Sequence, residues 1–223
     1  MDRPDLDPAL HTAALTGLAR LNRWSNSVGI LWGPIRRLAA AEGRTLTVLD
    51  VASGAGDVAI GLERRAARAG VQLEVIGCDI SPTAIGHAER SAKRAGANVR
   101  FERRDVLSDP PTETFDVVTC SLFLHHLEAD QAERLLRTLA AVTGRLLLIN
   151  DLVRGPIGKL LADVACRVLS RSPVVHVDGP RSVEGAFTRN EAKQLAGAAG
   201  LVGAKVVPRW PCRMLIEWEP ETE

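Results

Sequence analysis

The run Leu49-Asp50-Val51-Ala52-Ser53-Gly54-Ala55-Gly56-Asp57-Val58-Ala59-Ile60, LDVASGAGDVAI, ends an extended β-branched stretch and opens a helical one. The preceding residues, TLTVLDV from Thr45, predict a strand, and the pattern after Gly56 predicts a helix to Arg68. Gly54-x-Gly56-x-x-Ala59 meets the loose strand–turn–helix pattern G-x-G-x-x-G/A, in which glycines let the backbone approach a nucleoside closely. Asp79 stands twenty-three residues after Gly56, at the end of the next apolar run. A carboxylate there accepts hydrogen bonds from both hydroxyls of a ribose.

Outward from this turn, short β-branched runs alternate with helical patterns: LEVIGCDI, a helix over Pro82 to Ala95, NVRFERRDV, FDVVTCSLFL, a helix over Asp130 to Val142, and GRLLLINDL. That alternation predicts an α/β fold with a parallel sheet. Ser81-Pro82 supplies an N-cap and a first-turn proline, and Thr188-x-x-Glu191 is a capping box ahead of a helix that ends at Gly200. GAKVVP and CRMLIEWE then predict a terminal antiparallel pair at one sheet edge.

The 223 residues fit one domain. Its expected parts are an N-terminal helical cap (1–44), a cofactor-binding core (45–152), a cap insertion (153–187) and a C-terminal helix with a strand pair (188–223). Trp24, Trp32, Ile157, Leu160 and Leu161 would give such a cap an apolar, partly aromatic lining.

A net charge of +1 gives no reason to expect a nucleic-acid partner, and the Arg64, Arg65, Arg68 cluster reads as one solvated helix face. Cys78, Cys120, Cys166 and Cys212 are too scattered for a CxxC pair. The acidic N-terminus does not match a signal peptide, and no apolar run approaches the roughly 20 residues of a membrane span. A cytoplasmic monomer or homodimer is expected.

The acids around the turn decide what it holds. Asp50 lies four residues before Gly54 and Asp57 directly follows Gly56, so a pyrophosphate would meet negative charge. S-adenosylmethionine offers an ammonium and a sulfonium instead, which makes these acids attractive. The chain also has no tyrosine, which removes the Tyr-x-x-x-Lys chemistry of short-chain dehydrogenases. An NAD(P)-dependent oxidoreductase is therefore the last of the readings.

In order and spacing, LDVASGAGDVAI, VIGCDIS, RRDVL, FDVVTCSLFLHHL and GRLLLIND resemble the successive motifs of the class I S-adenosylmethionine-dependent methyltransferases. The first is especially similar to that of the ubiquinone and menaquinone methyltransferases. The resemblance covers roughly positions 45 to 155. It implies a Rossmann-like, seven-stranded, mainly parallel sheet with an antiparallel last strand and helices on both faces. It also implies that Asp50, Ala52, Gly54 and Gly56 lie at the methionine end of the cofactor, Asp79 and Ile80 at ribose and adenine, and Asp105 and Val106 at the adenine edge. Cys120 and Ser121 would line the cleft after the fourth strand. For Asp79 and Asp105, capping of their own turns is the alternative.

Methyl transfer needs an acceptor held against the methyl carbon and water kept out, not a protein nucleophile. A phenol or enol must still lose a proton, and imidazole is suited to take it. His126 or His125 follows the fourth strand at the carboxyl edge of the sheet and is the expected base, with His176 in the cap segment as runner-up. Orienting the loop is the alternative role for the histidine pair. The fourth strand ends Cys120-Ser121 rather than in the aspartate of metal-dependent catechol-type enzymes, so no metal is expected. The reading is methyl transfer to a small hydrophobic phenolic or quinone-like acceptor, with oxygen the favoured atom. The alternatives are quinone-type C-methylation and a non-catalytic cofactor-binding subunit.

Overall fold

The computed structural model describes residues 24–169 and 173–221 together with Gly17, Arg20 and Asn22. Helix α1 (Ser27–Glu42) leads into strand β1 (Leu46–Val51). Then follow α2 (Asp57–Arg68), β2 (Leu73–Asp79), α3 (Pro82–Ala95), β3 (Val99–Arg103) and β4 (Phe115–Ser121). A 3₁₀ turn (Leu124–His126) joins β4 to α4 (Ala129–Ala141), which runs into β5 (Thr143–Leu152). Two further helices, α5 (Pro156–Leu169) and α6 (Pro173–Gly185), precede α7 (Arg189–Ala198), β6 (Lys205–Arg209) and β7 (Arg213–Trp218).

The seven strands lie in the order β3-β2-β1-β4-β5-β7-β6. Strands β1 to β5 are parallel, whereas β7 runs antiparallel to both β5 and β6. The doubly wound sheet and its antiparallel terminal pair match the expectation. The local signals act as read. Ser81 Oγ accepts the Ala84 N–H at 3.2 Å, and Thr188 Oγ1 and Glu191 Oε2 reciprocally cap α7. The α7 helix ends at Ala198, two residues before Gly200, which takes a left-handed φ of 85°.

Strand alternation sorts the core into two layers. Leu46, Val48, Val75, Val117, Leu146, Leu148 and Leu215 pack against α1, α2 and α3. Leu49, Val51, Val118, Cys120, Leu147, Ile149 and Met214 pack against α4 and α7. By the same parity Asp50, Thr119, Ser121, Asn150 and Arg213 fall on the α1–α3 face, and Asp151 on the α4 face.

The aromatic lining expected of the N-terminal segment needs correction at Trp32. This indole is buried in the core with Leu31 and Ile35 of α1, because those residues form the apolar stripe that meets the sheet. Ile157 and Leu160 are exposed on α5, on the side of that helix away from the core.

Candidate active site

A cavity of about 520 Å³ opens at the carboxyl ends of β1, β2 and β4, where the strand order reverses between β1 and β4. The turn after β1 forms one wall. Ala52 and Gly54 take left-handed backbone angles there, with φ of 54° and 52°. A Cβ on Gly54 would meet nothing within 4 Å, so this stretch of backbone presents an open face. Gly56, at φ 76°, does not line the cavity. A Cβ there would stand 2.7 Å from Phe101 Cζ and 2.8 Å from the Ala88 Cβ, so its glycine seats the start of α2 against the sheet.

Asp79 lines the cavity and braces it. Its Oδ2 accepts the Gly54 N–H and its Oδ1 accepts the Ser81 N–H, each at 2.9 Å. Two oxygens with about four lone-pair sites keep capacity for a ligand's hydroxyls. Ile80 is exposed on the cavity rim and Val106 is buried in its wall. Asp105 also lines it, but both its oxygens serve its own turn, accepting from the Leu107 N–H at 3.1 Å and the Ser108 hydroxyl at 2.7 Å.

Asp50 is the most perturbed acid of the wall. It is 1% exposed, its Oδ1 accepts the Thr119 hydroxyl at 2.6 Å, and its Oδ2 has no partner. Burial pushes its carboxyl up to about 7, opposed by the Thr119 hydrogen bond and reinforced by the charges of Asp57 and Asp79. A buried acceptor without a donor is costly, and a cation or N–H donor placed against Oδ2 would remove that cost. Together with the open glycine turn, this orphaned oxygen fits a nucleoside that carries an ammonium.

The next wall is built after β4. Ser121 lines the cavity with its hydroxyl unpartnered, whereas Cys120, one residue earlier, points to the α4 face. Burial pushes the Cys120 thiol far above its ordinary range, so it is a neutral core group. His125 and His126 both line the cavity, with ring centroids 4.2 Å apart. They differ in environment. His126 is exposed, while His125 is buried with its Nδ1 2.7 Å from Asp151 Oδ1. Asp151 also accepts N–H groups from Leu152 at 2.6 Å and from His125 at 3.3 Å. Burial alone would push the Asp151 carboxyl up, but the imidazole and these N–H groups hold it below its ordinary value. An ionised Asp151 only accepts, so Nδ1 carries the proton and Nε2 is the ring nitrogen left to take another. His176 lies on α6 and is not part of the wall.

The far side of the cavity comes from the segment before α1, from α5 and α6, and from the start of β7. Trp24, Leu161, Ala165 and Val183 give it an apolar character. Arg213 enters from β7 and no local sequence signal points to it. It is placed by strand order, opposite Leu152 of β5. Asp151 likewise gains its meaning only from the fold, which sets it against an imidazole 26 residues away.

Residues 48–145 match the family model described as a methyltransferase domain. That stretch runs from β1 to the start of β5, the part of the sheet whose carboxyl edge carries the cavity. The chain is 38% identical over 121 residues to a demethylmenaquinone methyltransferase of Deinococcus radiodurans, covering 52% of this chain and 48% of that one. It is 36% identical over 113 residues to a demethylmenaquinone methyltransferase of Thermus thermophilus, covering 50% of each. The chain thus spans about half the length of the curated relatives it matches. A solved SAM-dependent methyltransferase of Aquifex aeolicus shares the fold with a TM-score of 0.63 at 20% identity, over 96% of this chain and 99% of that one. No helix among the described residues is long and apolar enough to cross a membrane.

Proposed function

We propose that the cavity binds S-adenosylmethionine and that the chain methylates a small hydrophobic aromatic acceptor at a hydroxyl oxygen. The observation that carries this reading is that one cavity holds both a buried carboxylate with an unpartnered oxygen, Asp50, and a carboxylate-paired imidazole, His125. In this reading Asp50 receives the ammonium of the cofactor and the backbone of Ala52 and Gly54 lies along its methionine end. Asp79 takes the ribose hydroxyls, and Ile80 and Val106 flank the adenine. Asp105, its carboxylate committed to its own turn, shapes the adenine edge with its backbone. Gly56 and Cys120 serve from behind the wall.

When bound, this cofactor supplies an electrophilic methyl carbon, which the acceptor oxygen takes as the carbon–sulfur bond breaks and its electron pair stays on sulfur. His125 removes the acceptor's hydroxyl proton at Nε2, and Asp151 fixes the tautomer that leaves Nε2 available. The apolar far wall, with α5 and α6 acting as the cap, excludes water and selects a flat, apolar acceptor.

A second reading, methylation at a ring carbon of a quinol, is favoured by the two relatives named demethylmenaquinone methyltransferases. It uses the same proton removal. Calorimetry with S-adenosylhomocysteine, followed by labelled methyl transfer to a panel of phenols, quinols and naphthols with the product position read by NMR, tests both. No heat with S-adenosylhomocysteine would end the methyltransferase reading, and a carbon–methyl product would replace the first reading with the second.

A further inference from the structure

We propose that α5 is a dimer helix: its outward apolar stripe is covered by the same stripe of a second copy of this chain, the two helices lying antiparallel across a two-fold axis at Val164.

At about 100° per residue, the 14 residues of α5 divide into three sectors. Gly158, Ala162 and Cys166 turn towards the cavity and α6, packed so closely that a Cβ on Gly179 of α6 would overlap the Cys166 sulfur. Lys159, Asp163 and Arg167 follow one another at i, i+4 and i+8 along one flank. Ile157, Leu160, Leu161, Val164 and Val168 fill the remaining sector of about 100°. They are between 38% and 76% exposed, and no described residue covers them. On α4 the same i, i+3, i+4, i+7 spacing, Ala132, Leu135, Leu136 and Leu139, is buried completely in the core. The α5 stripe is therefore patterned as a packing face and has nothing of its own chain to pack on. Its five side chains leave about 500 Å² of apolar surface in one strip, near the top of what a monomer exposes in a single patch. An ordinary interface buries about 800 Å² on each partner, somewhat over half of it apolar. The stripe and its charged flank supply one side of such an interface.

Charge decides between a lipid surface and a second copy. A helix that lies in a bilayer surface carries an excess of cations on its polar face and bulky aromatics on the other. The flank of α5 mixes two cations with one acid, and both cations are already paired, Arg167 with Asp163 at 3.1 Å and Lys159 with Glu184. No aromatic residue lies on the helix. A flank of alternating sign is complementary to itself when reversed. With the axis at Val164, that residue meets itself, Leu160 meets the partner's Val168, and Asp163 comes within about half a turn of the partner's Arg167. Leu161 stands in the stripe and also lines the cavity, so the second copy backs the cavity wall.

The test is sedimentation equilibrium of the full chain at about 100 µM, where wild type is expected at twice the mass of one chain. Val164→Glu sets two carboxylates against each other at the axis and is expected to weaken association by about a hundredfold or more. Val164 is half-exposed in the single chain, so the far-UV circular dichroism of this variant is expected to match wild type. A second variant reads the register directly. With diamide as oxidant, Val164→Cys is expected to form a reducible dimer, because the two new thiols face each other across the axis, whereas wild type and Val202→Cys, its thiol on the exposed turn after α7, are not. A monomeric wild type at that concentration would overturn the proposal, and a monomer that sediments with phosphatidylglycerol vesicles would give the stripe to lipid instead. A folded Val164→Glu that still dimerises would place the interface on another face. If Val164→Glu does not fold, Val164→Cys decides, and cross-linking no faster than that of Val202→Cys would refute the two-fold at Val164.

Discussion

Replacing Asp50 with asparagine separates the cost of the buried carboxylate from its use. In the ligand-free protein the group titrates at about 7, against 3.8 for its ordinary value. The native state thus binds this proton more tightly than the unfolded chain does. The associated stability is complete below the unfolded value and is lost as pH rises through the folded one. The full span is about 4 kcal/mol, of which about 2.5 kcal/mol falls between pH 5 and pH 8. The asparagine has nothing to titrate, and its side-chain oxygen still accepts the Thr119 hydroxyl. Urea denaturation of ligand-free wild type and Asp50→Asn across that range is expected to show the variant gaining on wild type by about 2.5 kcal/mol from pH 5 to pH 8. The same variant is expected to lose S-adenosylhomocysteine affinity at pH 8 by on the order of tenfold or more. Parallel stability curves would refute the reasoning, because they would mean that the carboxylate is solvated or already paired.

Three further outcomes follow from the site. Binding of S-adenosylhomocysteine at pH 6 is expected to release about 0.9 proton as Asp50 ionises against the ammonium, read from calorimetry in buffers of different ionisation heat; zero release would place the ammonium elsewhere. His125→Ala is expected to lower kcat by on the order of 10²- to 10⁴-fold and Asp151→Asn by on the order of 10²-fold, both with S-adenosylhomocysteine affinity unchanged, while His176→Ala stays near wild type. A loss confined to His126→Ala in the same series would move the base to the cavity rim. Gly56→Ala is expected to destabilise the fold by about 1 to 3 kcal/mol, because a Cβ meets Phe101 and Ala88 at a left-handed backbone position; an unchanged urea midpoint would show that the Phe101 ring yields freely.

The parts of this molecule that announced themselves are those encoded within a few residues. The glycine turn, the Ser81-Pro82 and Thr188-x-x-Glu191 caps and the β-branched runs each fix a local conformation, and in combination they specified the sheet and the cavity at its edge. Parity along β4 was harder to use. Cys120 and Ser121 are adjacent and face opposite layers, and of the two it is Ser121 that lines the cavity. The two histidines posed the same difficulty inside a 3₁₀ turn, where a step of one residue swings a side chain through about a third of a turn. Burial and the arrival of Asp151 from the next strand single out His125. Arg213 was out of reach altogether, since its hydroxyl partners lie 186 and 188 residues away in sequence. Nothing local to CRMLIEWE separates it from any arginine that opens an edge strand.

Asp79 is held at both oxygens, by the N–H of Gly54 from one βα turn and the N–H of Ser81 from the next. It is a rivet between two loops before it is anything to a ligand. Anyone redesigning the nucleoside preference of this chain by exchanging that one side chain would be changing a joint of the frame. Glutamate, one methylene longer, would have to drag one turn away from the other, and asparagine would offer one of the two amides a donor where it needs an acceptor. Retuning would have to begin with the backbone of both turns and treat the side chain as its last component.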